Sequence, residues 1–138
     1  VQGAGLAIPA AFSGQSLLEL AHAPDDPQRM GFSEYHAVGS PAAAYLVCQG
    51  RWAYHHYVGF EPELFDRVSD PLQEHNLAGE SAHREVLSQM QSALRRMLDP
   101  EGVDRQAKDD QNALVARMGG REAALRIGPQ GASPAPKA

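Results

Sequence analysis

The fold is decided by the stretch Pro62-Glu63-Leu64-Phe65-Asp66-Arg67-Val68-Ser69-Asp70-Pro71-Leu72-Gln73-Glu74-His75-Asn76-Leu77. Glu63 to Asp66 has the composition of a short strand, with an aliphatic and an aromatic residue at its centre. Asp70-Pro71 predicts a turn, because proline fixes its own φ and biases the preceding residue away from helix. Gly79-Glu80-Ser81 then leads into a helix. The stretch therefore predicts a sheet edge that delivers the chain to a packing helix.

The residues before this stretch favour further strands. Ala43 to Val47 is a short apolar run, Gln49-Gly50 suits a turn, and Trp52 to Val58 runs back. With Glu63 to Asp66, residues 32–66 predict a small antiparallel sheet of three or four strands. The period of two puts four side chains of the return strand on one face: Trp52, Tyr54, His56 and Val58.

The second half of the chain has helical periodicity. A first helix is predicted over about 81–98, where an apolar stripe recurs at Val86, Met90, Leu94 and Met97, and Asp99-Pro100 ends it. A second helix is predicted over about 103–118, burying Val103, Ala107, Leu114 and Met118. The predicted fold class is α+β, a sheet covered on one face by carboxyl-terminal helices. Residues 1–127 form the predicted folded region, and 128–138, rich in Pro, Gly and Ala, form a flexible tail.

Composition excludes several classes of function. The chain has 138 residues, 43% of them hydrophobic, and a net charge of −5, which argues against nucleic acid as a partner. No apolar run approaches the roughly 20 residues of a membrane span. The first residues carry no basic segment of the kind that begins a signal peptide, so a cytoplasmic location is favoured. One cysteine, Cys48, cannot form an internal disulfide and is interpreted as a buried, inert thiol.

Four motifs in register resemble the type I sulfatases, which hydrolyse sulfate esters. The opening stretch is similar to their signature Leu-(Tyr/Phe)-Asp-Leu-x-x-Asp-Pro-x-Glu-x-x-Asn-Leu, near the carboxyl end of the family. The other three are Gly5-Leu6-Ala7-Ile8-Pro9 with the following Phe12 to Leu18, then Phe32-Ser33-Glu34-Tyr35-His36-Ala37-Val38-Gly39-Ser40, and Gly50-Arg51-Trp52-Ala53-Tyr54. Gly119-Gly120-Arg121 also fits a bacterial subgroup of these enzymes.

The resemblance implies the carboxyl-terminal subdomain of an alkaline-phosphatase-like fold, beside a larger α/β catalytic core. Calcium and the formylglycine nucleophile of the family are expected in a missing amino-terminal part. Cys48 is followed by Gln49-Gly50-Arg51, which lacks the proline of the formylglycine motif. Because Val1 falls inside a family motif, we expect a piece of a longer enzyme, inactive alone. Three positions depart from the family pattern: Ala53 replaces a lysine, Arg67 a leucine and Gln73 a glutamate.

Glu34 and His36 are the predicted substrate-binding residues. They lie two apart on a predicted strand, so both side chains share one face, where a carboxylate and an imidazole can orient a substrate. By resemblance, this strand passes near the sulfatase substrate pocket. The alternative is a structural hydrogen-bonded pair. No catalytic residue is assigned, because the formylglycine motif is absent. No metal ligand is assigned, because the adjacent His55 and His56 point to opposite faces, and His75 and His83 lack ligand spacing.

The predicted partner is a sulfatase catalytic core, or a second copy of this chain through self-association. Two alternatives stay open. One is a non-enzymatic interaction or oligomerisation module. The other is a piece of a phosphonate or phosphate monoester hydrolase of the same superfamily.

Overall fold

A computed structural model describes residues 2–7, 9–11, 14–36 and 40–127. Its strands are β1 (Met30–Tyr35), β2 (Ala44–Gln49), β3 (Trp52–Tyr57) and β4 (Glu63–Asp66). Its α-helices are α1 (Leu17–His22), α2 (Arg84–Met97), α3 (Pro100–Arg117) and α4 (Arg121–Ile127). Single turns of tighter helix occupy Gln2–Ala4 and Ser81–His83. The predicted tail, 128–138, lies outside the described residues, so the predicted domain division stays a prediction.

The four strands form one antiparallel sheet in the order β1-β2-β3-β4, so each strand pairs with the next along the chain. Gly50 makes the β2–β3 turn at a positive φ of 54°, a conformation that glycine adopts without a Cβ penalty. Tyr45 of β2 lies opposite Glu34 on one side and His56 on the other. The predicted α+β class and antiparallel sheet are confirmed.

The core lies between one sheet face and α2. The sheet contributes Tyr45, Val47, Tyr54 and Leu64, and the helix contributes Met90 and Leu94, all buried. In β2 the buried Tyr45 and Val47 alternate with less buried neighbours, whereas in β3 and β4 Ala53 and Phe65 of the opposite face are buried as well. Of the predicted helical stripe, Met90 and Leu94 are buried and Val86 packs at the margin, whereas Met97 is exposed.

Helix α3 begins at Pro100, three residues before the predicted start at Val103. Proline suits a first helical position, since its missing N–H would have no partner there and its φ is already helical. Asp99 is the N-cap residue, and its carbonyl accepts the Val103 N–H at 3.0 Å. The residues that stop α2 therefore also start α3, which leaves a short, fixed corner between the two helices.

The prediction that Leu114 and Met118 are buried is wrong. They are 45% and 38% exposed, whereas Pro100 and Asp104 of the first two turns are buried. Helix α3 packs on the sheet through its amino-terminal half and then extends beyond the core. Apolar residues recur at helical spacing along the whole of α3, although only its first half packs on the sheet, so the spacing alone predicts too many buried positions.

The segment after β4 is held by two oxygen-bearing side chains. The Asp70 carboxylate accepts the backbone N–H groups of Glu74 and His75, at 3.1 and 2.9 Å. Asn76 Oδ1 accepts the N–H groups of Leu64 and Ala78, at 3.0 and 2.9 Å. These groups satisfy backbone donors that the turn would otherwise leave unpaired.

Candidate functional site

The structure brings Glu34 and His36 together at the end of β1. Glu34 is in the strand and His36 is the first residue after it. His36 Nε2 lies 3.4 Å from Glu34 Oε2, with side chains 22% and 48% exposed, respectively. Both groups therefore reach solvent while contacting each other, which leaves them available to an external ligand.

The His36 ring has few partners of its own. It stands edge-on to the Tyr45 ring, with centroids 5.6 Å apart and an interplanar angle of 76°. Its second nitrogen, Nδ1, is buried and has no hydrogen-bond partner among the described residues. The backbone is held more firmly, because Gln111 Nε2 of α3 donates to the His36 carbonyl oxygen at 3.1 Å.

Tyr45 forms the buried wall behind this pair. Burial, followed by the charge of Glu34, raises the pKa of the Tyr45 phenol to about 12, so the hydroxyl stays protonated. That hydroxyl donates to the Pro100 carbonyl oxygen at 3.1 Å. A neutral aromatic ring, hydrogen-bonded to the start of α3, therefore lies behind Glu34 and His36.

A small cleft separates His36 from α3 and is lined by Ser40, Asp104, Lys108 and Gln111 as well as by His36. Asp104 Oδ1 accepts the Ala43 N–H at 2.8 Å, and Lys108 Nζ donates to Asp104 Oδ2 at 2.7 Å. The hydrogen bond from Lys108 lowers the pKa of the Asp104 carboxyl, so this buried group remains charged.

The arrangement suits recognition of a polar ligand. An ionised Glu34 accepts hydrogen bonds from hydroxyl or amine groups, and His36 donates or accepts according to its protonation state. A glutamate and a histidine in contact can bind a polar group or exchange a proton with it.

The other histidines lie elsewhere. His56 is buried beside the Tyr54 hydroxyl, which is 3.1 Å from its Nδ1, whereas His55 on the other face lies 3.2 Å from Gln73 Oε1. Nowhere in residues 2–7, 9–11, 14–36 and 40–127 do three or more His, Cys, Asp or Glu side chains form a group that could hold a metal ion. Within the same ranges, no helix is long and apolar enough to cross a membrane.

Sequence reasoning missed the contribution of α3 to this site. Asp104 and Gln111 contact residues that lie 61 and 75 positions earlier in the chain. The sequence shows Asp104 and Lys108 at the i, i+4 spacing of a helical ion pair. Such pairs are common on exposed helix surfaces, so this spacing does not indicate a site.

Comparison with known proteins shows similarity to sulfatases. Arylsulfatase K of Mus musculus is 35% identical over 88 residues, which are 56% of this chain and 16% of that protein. Arylsulfatase K of Xenopus laevis is 31% identical over 108 residues, 70% of this chain and 20% of that protein. The solved structure of a 2-O GAG sulfatase matches with a TM-score of 0.54 and 26% identity, over 80% of this chain and 24% of that chain. The chain matches a sulfatase carboxyl-terminal region.

No family model matches the chain. The matched part of the chain spans 16% of the length of the first curated relative and 20% of the second. The sulfatase relationship predicted from the four motifs is confirmed, and a four-stranded antiparallel sheet with helices is consistent with the alkaline-phosphatase-like superfamily.

Proposed function

We propose that this chain is the carboxyl-terminal part of a sulfate-ester hydrolase, where it completes the fold and walls one side of the substrate pocket. The observation that carries the proposal is the Glu34–His36 contact at a solvent-accessible strand end, in a chain related to sulfatases. Glu34 and His36 would contact the organic part of the substrate, the carboxylate accepting hydrogen bonds and the imidazole donating or accepting them.

A sulfatase catalytic core is the proposed partner. Helices α2 and α3 pack on the sheet face that carries Tyr45 and Tyr54, and the opposite face carries incompletely covered Leu46, Cys48 and Tyr57, with Tyr35 exposed at its edge. Apolar surface of this kind is typical of a domain interface. The formylglycine nucleophile and calcium that the resemblance implies would belong to that core, since Cys48 lacks the sequence context of a formylglycine precursor.

The test is a comparison of Glu34→Gln and His36→Ala in an enzyme that contains this chain together with a sulfatase core. We expect both variants to lower kcat/KM for 4-nitrophenyl sulfate or a sugar sulfate while the melting temperature stays nearly constant. Matched controls are Glu61→Gln and His75→Ala, which alter exposed residues of the same types elsewhere. The 138-residue chain alone is expected to show no turnover.

Unchanged kcat/KM in the double variant, on several sulfate esters, would remove Glu34 and His36 from the substrate pocket. A loss of activity that follows a loss of melting temperature would make them a structural pair. Preferential turnover of phosphate or phosphonate esters would move the chain to that branch of the superfamily.

A further inference from the structure

Helix α3 contacts both ends of the connection between β1 and β2. Gln111 Nε2 donates to the carbonyl oxygen of His36, one residue after β1, at 3.1 Å. Asp104 Oδ1 accepts the N–H of Ala43, one residue before β2, at 2.8 Å. Residues seven apart on an α-helix are about two turns apart and lie on the same face. A single helix face therefore holds the two ends of this connection.

The end of α3 that makes these contacts is itself fixed. Pro100 and Asp104 are buried, and the Tyr45 hydroxyl donates to the Pro100 carbonyl oxygen at 3.1 Å. Lys108 Nζ donates to Asp104 Oδ2 at 2.7 Å, so the carboxylate that holds Ala43 is paired on its other oxygen. Any displacement of α3 would thus move both anchors relative to the sheet.

The His36 imidazole depends on these anchors because its own contacts are weak. Its distance of 3.4 Å to Glu34 is long for a hydrogen bond, and Nδ1 has no hydrogen-bond partner in the described part of the chain. The edge contact with Tyr45 also restricts the ring. With weak contacts at the ring, the position of the His36 backbone limits which neighbours the imidazole can reach.

We propose that Gln111 is a positioning residue for His36: its carboxamide, held on an α3 face that also binds Ala43 through Asp104, sets the orientation of the imidazole toward Glu34. The role of His36 toward substrate rests on the proposed function, whereas the effect of Gln111 on His36 does not. Gln111 itself acts only through His36.

The test uses NMR on the full 138-residue chain, with Gln111→Ala, which removes the side chain, and Gln111→Glu, which keeps the shape but loses the donor. Gln106→Ala, at another exposed glutamine of α3, is the matched control. We expect loss of the cross-relaxation between the His36 and Tyr45 ring protons, and a shift of the His36 ring resonances, in both Gln111 variants. Gln106→Ala should change neither, and all three melting temperatures should stay close to that of the original chain.

A His36–Tyr45 ring contact that persists in both Gln111 variants would overturn the proposal. The same variants in the assembled enzyme separate the two claims. If Gln111→Ala shifts the His36 ring and raises KM in the same direction as His36→Ala, both stand. If it shifts the ring while His36→Ala leaves turnover unchanged, the positioning of His36 stands and the proposed substrate contact falls.

Discussion

At the scale of single residues, His56 is a polar group placed inside the core. It is 8% exposed, lies between the Tyr45 and Tyr54 rings, and contacts the Tyr54 hydroxyl through Nδ1. Its buried Nε2 has no hydrogen-bond partner among the described residues and lies 4.0 Å from Glu101, whose carboxylate is bound by Arg95 at 2.9 and 2.6 Å. Burial lowers the pKa of His56 from its usual 6.5, although the nearby Glu101 opposes this shift.

The first prediction is that His56 makes the fold sensitive to acid. Since its pKa is lower in the folded than in the unfolded state, the unfolded chain binds more protons. The stability due to neutral His56 is therefore fully present above pH 6.5 and is lost as the pH falls from there through the lower folded-state pKa. Urea unfolding between about pH 7.5 and 5.5 should show a smaller decline in unfolding free energy for His56→Gln than for the original chain.

The control for this experiment is His75→Gln, because the His75 side chain is 80% exposed. Its pH dependence should match that of the original chain. An unchanged decline in His56→Gln would mean that other groups, not His56, cause the acid sensitivity.

The second prediction concerns Asp66, which joins the β2–β3 turn to the end of β4. Arg51 donates from Nε at 2.7 Å and also from Nη2, and Ser69 Oγ donates at 2.7 Å. The Arg51 guanidinium holds the pKa of the Asp66 carboxyl well below its usual range. Asp66→Asn should lower the unfolding free energy by about 1–3 kcal/mol, because the buried carboxylate loses its charge-assisted hydrogen bonds with Arg51. Asp110→Asn, at an exposed α3 position, should stay within about 0.5 kcal/mol in the same chemical denaturation series.

At the scale of elements, α2 supplies most of the helical contribution to the core, and this gives the third prediction. Leu94 is fully buried against the sheet, so Leu94→Ala should cost about 2–5 kcal/mol of unfolding free energy. Leu114→Ala removes the same atoms from the exposed half of α3 and should cost only about 0.5 kcal/mol. Equal losses in thermal or urea unfolding would mean that α3 carries a second buried surface.

Features determined by residues close in sequence were predicted better than features determined by residues far apart in sequence. The pairing of β2 with β3 and the burial of Met90 and Leu94 depend on local alternation and helical period, and both agree with the sequence prediction, whereas Met97 of the same stripe is exposed. The start of α3 at Pro100 was missed because a proline after Asp99 was interpreted only as a stop signal. The Gln111 contact with His36 had no sequence signal, since glutamine is ordinary on a helix surface and the partner is 75 residues away.

At the scale of the whole molecule, the two faces of the sheet are covered unequally. One face is buried under α2 and the start of α3, whereas Leu46, Cys48 and Tyr57 on the other face are only partly covered. The fourth prediction is that the isolated chain self-associates or binds a hydrophobic dye through this second face.

Leu46→Glu places a charge in the middle of that face. The molecular mass measured by light scattering should then no longer rise with protein concentration, and the dye should no longer bind. Leu72→Glu, at an exposed loop position, is the control and should change neither. A strictly monomeric, dye-negative original chain would instead favour an autonomous interaction module over a surface that docks on a sulfatase core.

The strand order β1-β2-β3-β4 has a consequence for how the molecule reaches its native state. Every ladder joins neighbours in sequence, so the sheet can grow by successive hairpin closures within residues 30–66. Such short-range closures have a small entropic cost and favour rapid folding. The contacts of α3 with Ala43 and His36 span 61 and 75 residues, so the chain entropy lost in closing them is larger, and we expect them to form after the hairpins. The orientation of His36 would then be among the last features to be acquired during folding.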